Sequence, residues 1–97
     1  MRAPRVWPTM GGPDRAGGWY VVTAYILIQT EVGKASQVTS SIGDQKGIVA
    51  VDGVTGPYDV IARAESMDLD DLAKGIVMPI QEVEGVTRTL TCPVLQL

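Results

Sequence analysis

Residues 20–29 alternate with a period of two. Tyr20, Val22, Ala24, Ile26 and Ile28 fall on one face of an extended segment, and Val21, Thr23, Tyr25, Leu27 and Gln29 on the other. Both faces are largely apolar, so the segment reads as a strand that needs cover on two sides, which places it inside a sheet rather than at its edge. Composition points the same way. Thirteen Val and seven Ile outnumber six Leu, and β-branched side chains fit a pleated surface better than a helical bundle.

The elements that follow fix the order. A helix is expected from about Lys34 to Ile42, where Ala35, Val38 and Ile42 sit at i, i+3 and i+7 and Gly43 suits a left-handed terminating position. Ile48 to Val54 and Tyr58 to Ala64 read as two strands, close enough that an antiparallel hairpin is the natural connection. Asp52-Gly53 is the stronger local turn signal. A turn there would leave Pro57 inside the second strand, where it removes a ladder donor, so the turn is expected at Gly56-Pro57. Leu69, Leu72, Ala73, Ile76, Val77, Ile80 and Val83 then form a helical stripe, with Asp68 as N-cap and Asp70 and Asp71 at the positive end of the dipole. Pro79 is expected to kink this helix and Gly85 to stop it. Val86 to Leu97 reads as a last strand, in which Thr87, Thr89 and Thr91 alternate with Arg88, Leu90 and Cys92. The order βαββαβ predicts an α+β, ferredoxin-like fold: a four-stranded antiparallel sheet with two helices on one face. The second face of such a small sheet needs a cover. Another copy of the chain supplies it most simply, giving a homodimer of the α/β sandwich or barrel type.

Much chemistry is excluded by what the chain lacks. It has no His, which removes Ser-His-Asp and Cys-His nucleophile pairs and His-ligated metals. Its single cysteine, Cys92, allows neither an internal disulfide nor a Cys-based zinc site, and reads as a buried, inert thiol. No cofactor is expected. Asp68-Leu69-Asp70-Asp71 is not a calcium loop, because Ala73 and Pro79 stand where Gly and Glu are required. Gly53-Val54-Thr55-Gly56 fits neither a dinucleotide fingerprint nor a P-loop. The apolar stretch from Trp19 to Ile28 is shorter than the roughly 20 residues of a membrane helix, and no apolar run follows Arg2 and Arg5 to make a signal peptide. No membrane partner and a cytoplasmic location are expected. Residues 1–18, rich in Pro and Gly, read as a disordered N-terminal extension, with the domain over 19–97. Three Arg and Asp14 give that extension a charge of +2, which leaves −5 for the domain of a chain whose total is −3. An acidic domain repels phosphate, so direct nucleic-acid binding is not expected.

Two polar features remain. The threonines of the last strand either line a polar site or face solvent for their strand propensity. Thr55-Gly56-Pro57-Tyr58-Asp59 is the densest cluster of special residues: a glycine open to close approach, an aromatic wall, and a carboxylate able to hold an ammonium group. It reads equally well as a turn in which Asp59 bonds backbone amides.

Val54-Thr55-Gly56-Pro57-Tyr58-Asp59-Val60-Ile61, Gly85-Val86-Thr87-Arg88-Thr89-Leu90-Thr91 and Ala24-Tyr25-Ile26-Leu27-Ile28, in that frame, closely resemble the effector-binding domain of the leucine-responsive/AsnC family of transcription regulators. The stand-alone members, which lack a DNA-binding half, are the nearest in kind, since 18 Pro/Gly-rich residues leave no room for a helix-turn-helix. The resemblance covers about residues 20–97. It implies dimers joined through their sheets, octamers or similar rings of dimers, and an amino-acid effector bound between dimers. Carried onto this chain, it implies backbone contacts at Thr55 and Gly56, an ammonium-holding or orienting role for Asp59 with Tyr58 nearby, and contributions from Thr89 and Thr91. The function it implies is non-catalytic sensing that modulates transcription through a DNA-binding relative. The alternatives are a small dimeric α/β-barrel enzyme of monooxygenase or isomerase type, which the fold also hosts, and a structural adaptor without a ligand.

Overall fold

The structure, a computed structural model, describes residues 21–95. The extension expected to be disordered over 1–18 lies outside the described residues. The elements run β1 (Val22–Thr30), α1 (Ala35–Gly43), β2 (Ile48–Gly53), β3 (Val60–Ser66), a helical run over 69–81, and β4 (Val86–Pro93). All sheet neighbours are antiparallel and the spatial order is β2-β3-β1-β4, which is the ferredoxin-like arrangement. The turn between β2 and β3 spans 54–59, around Gly56-Pro57 as expected.

Packing explains the order. Ala24, Ile26 and Ile28 of β1 and Val60, Ala62 and Ala64 of β3 are fully buried on one face, beneath Val38 and Ile42 of α1 and Leu72, Ile76 and Ile80 of the second helix. Small alanines on the sheet opposite branched side chains on the helices let the two layers come close. On the other face of the same strands, register places Leu27 beside Ile61 and Leu90, and Tyr25 beside Arg63 and Cys92. Among the described residues no helix lies over that face. Arg63 Nη1 donates to the Tyr25 hydroxyl at 3.0 Å, its guanidinium lies 5.7 Å from the Tyr25 ring centre, and Glu65 is 3.8 Å away. Cys92 is on this face and exposed, not buried as expected. The period of two decides it, because Cys92 has the same parity as Leu90.

The helices depart from expectation in detail. Gly43 is the last residue of α1 and is not left-handed; Asp44 and Gln45 donate to the carbonyls of Ser41 and Ile42, a tightened last turn that satisfies those groups. Gly47, at φ +89°, makes the reversal into β2 instead. The second helix is three pieces: α2 (Leu69–Asp71), a π-helical stretch (Leu72–Val77) and α3 (Met78–Gln81). Asp68 caps it as expected, its carboxylate accepting from the Asp71 amide at 2.7 Å. Where a kink at Pro79 was expected, the structure has a π-helical stretch just before it and Pro79 in the first turn of α3. An α-helical Pro79 could not donate to the Gly75 carbonyl and its ring would collide with it; at the end of the π-helical stretch the Met78 amide donates five residues back, to Ala73. Leu72, Ile76 and Ile80 then face the core, whereas Leu69, expected in the stripe, is 59% exposed.

Candidate functional site

The loop over 54–59 is tied down at the end of β1, and the reason is local. The ladder between β1 and β3 ends at Ile28 and Val60, so the Thr30 amide has no strand partner on that side. Asp59 supplies one: its Oδ2 accepts from the Thr30 amide at 2.8 Å. The Asp59 amide donates to the Ile28 carbonyl at 2.9 Å, and the Val54 amide donates to the Asp59 carbonyl at 2.9 Å. Gln29 Nε2 adds a fourth tie, donating to the Pro57 carbonyl at 3.0 Å. Gln29 and Thr30 were not among the expected site residues. The signal available was a polar pair closing an otherwise apolar run.

Between these anchors the tip projects. Gly56 has φ +144°, and nothing lies within 4 Å of where a Cβ would stand. Thr55 and Gly56 are exposed and Tyr58 is half-buried. Thr55 and Asp59, with Ala35, Gly53 and Val54, line a shallow depression open to solvent. The arrangement offers a small molecule hydrogen bonds from the Thr55 hydroxyl, the second oxygen of Asp59 and exposed backbone groups.

Six residues were expected at one site, and the structure brings only part of the set together. Thr55 and Asp59 share the depression, and Gly56 and Tyr58 adjoin it along the chain. Thr89 and Thr91 pair with Ile28 and Ile26 across the other edge of β1, on the helix-covered face, where Gln81 Nε2 donates to Thr89 Oγ1 at 3.0 Å. β1 separates them from the loop. Among the described residues no three His, Cys, Asp or Glu side chains cluster as a metal site, and no helix is long and apolar enough to cross a membrane.

Fold and loop together define a small ferredoxin-like α+β domain that presents a tethered polar loop at one end of its sheet. The sequence matches the family model described as the Lrp/AsnC ligand binding domain over residues 23–97, and the chain belongs to that family of transcription-regulator domains. It is similar to the HTH-type transcriptional regulator FL11 of Pyrococcus furiosus, at 33% identity over 85 residues that cover 88% of this chain and 54% of that protein. It thus spans about half the length of the curated relatives it matches. Among solved structures, TTHA0845 from Thermus thermophilus superposes with a TM-score of 0.73 at 29% identity, covering 78% of this chain and 95% of that one. The transcriptional regulator NMB0573 of Neisseria meningitidis, solved as an L-Met complex, shares the fold with a TM-score of 0.72 at 15% identity, over 96% of this chain and 60% of that one.

Proposed function

We propose that this chain is the sensing and assembly part of a transcription-regulatory system: a non-catalytic homo-oligomer that binds an amino acid at the 54–59 end and acts through its association with itself or with a DNA-binding relative. The observation that carries this reading is the match over residues 23–97 to a regulatory ligand-binding domain. The L-Met complex of the Neisseria regulator supports an amino acid as the ligand class. The open sheet face, with Leu27, Ile61 and Leu90 in one row, supports assembly, because an apolar row flanked by Tyr25, Arg63 and Glu65 resembles an interface core with a polar rim. Binding between dimers would favour one assembly state by its differential affinity for the two.

A thermal-shift screen of the free amino acids, read beside light scattering, tests this. An effector at 100 times its dissociation constant adds about 2.7 kcal/mol to stability, a rise of many degrees for a domain of this size. A screen in which no amino acid moves either the midpoint or the assembly state gives the protein to the structural-adaptor reading.

A further inference from the structure

A second depression lies at the opposite end of the sheet. β3 runs from the 54–59 loop at Val60 to this end at Ser66, so the two places are about 20 Å apart at roughly 3.3 Å per strand residue. It measures about 620 Å³ and is lined by Val21, Lys46, Gly47, Glu65, Ser66, Met67, Asp71, Gly75 and Ile76.

Two glycines let backbone and side chains pack closely along its wall. Gly47 is left-handed, and a Cβ there would lie 2.6 Å from Ile76 Cδ1. Gly75 belongs to the π-helical stretch, and a Cβ there would lie 3.2 Å from the Asp71 carboxylate. Single π turns inside helices occur frequently at functional sites.

The charges are of both signs and are not used up within the chain. Glu65 faces Arg63, and Asp70 takes Lys74 at 3.4 Å. Among the described residues neither Lys46 nor Asp71 has an ion-pair partner. One ammonium, one carboxylate and an apolar floor at Ile76 and Val21 are complementary to a molecule that carries a carboxylate, an ammonium and a short apolar body.

We infer that this depression is a second binding site, for a small apolar zwitterion of amino-acid size, with Lys46 facing the ligand carboxylate and Asp71 its ammonium. It is independent of the 54–59 reading, and one experiment separates them. The ¹⁵N-labelled protein is titrated with free L-leucine, L-isoleucine, L-valine and L-methionine while amide shifts are followed. At least one should give saturable shifts at Gly47, Gly75 and Ile76. Lys46→Gln should weaken that binding tenfold or more while the thermal midpoint stays put, and Asp71→Asn should weaken it as much while lowering the midpoint by only the few degrees that a first-turn carboxylate contributes. Asp59→Asn should leave it unchanged. For the amino acid that binds, the amine lacking its carboxylate and the acid lacking its ammonium should each bind at least tenfold more weakly. Shifts confined to 54–59, no shifts at millimolar ligand, undiminished binding by Asp71→Asn, or equal binding of either half-molecule would overturn the inference. The first of these outcomes would leave the 54–59 reading standing.

Discussion

In the proposed site, Asp59 serves the fold and a ligand with one side chain. One oxygen of its carboxylate satisfies the Thr30 amide at 2.8 Å, and its own backbone ties the loop to β1 and to Val54. Asp59→Ala therefore costs stability before any ligand is added: about 1 kcal/mol for a lost hydrogen bond of this kind, or several degrees of midpoint in a domain of this size. It should also lose amino-acid binding at the loop while the proposed dimer persists; a variant that melts like the parent would show that Thr30 finds another acceptor. Gly47 has a different duty. Gly47→Ala forces a side chain into φ +89° and against Ile76, and should lower stability by about 1–3 kcal/mol in a denaturant titration.

At the level of elements, the second helix is the informative one. A proline inside an α-helix costs about 3 kcal/mol, and replacing it normally returns that amount. Here Pro79 stands in the first turn of α3, directly after the π-helical stretch, a position where a missing amide hydrogen costs little. Pro79→Ala should accordingly change the midpoint by no more than the equivalent of about 1 kcal/mol. A rise of ten degrees or more would mean that the ring strains the helix after all. The core anchors at Leu72, Ile76 and Ile80 are spaced by four residues, a step that drifts by about 40° in an α-helix of 3.6 residues per turn. Two such steps stay within a core-facing stripe about 100° wide, so the three residues reach the core at this spacing.

For the whole molecule, the open sheet face is where the proposed assembly can be tested. Leu27 points away from the core formed by Ala24, Ile26 and Ile28, so Leu27→Glu should leave the single-chain fold intact. It should convert the proposed dimer to monomer in light scattering at micromolar protein, because a charge buried without a partner costs several kcal/mol. A variant that stays dimeric would place the interface elsewhere. Pure protein should show no nanomolar DNA affinity in a gel shift at physiological salt, since residues 19–97 carry −5.

Patterns with a fixed period were legible in the sequence. The alternation from Tyr20 to Gln29, the hairpin at Gly56-Pro57, the Asp68 cap and the element order followed from residue spacing alone, because strand parity, proline chemistry and capping act between chain neighbours. Even Cys92 could have been placed by parity once Leu90 was assigned. Other features depend on residues far apart in the chain. Asp59 meets Thr30, Gly47 meets Ile76, and Thr89 turns toward Gln81 rather than the loop, each by a register or packing contact that no local rule supplies. The π turn and the depression beside it belong to this second kind. Pro79 marks where an α-helix becomes costly, but that the chain continues through a π-helical stretch with Leu72, Ile76 and Ile80 in the core appears only in the folded structure.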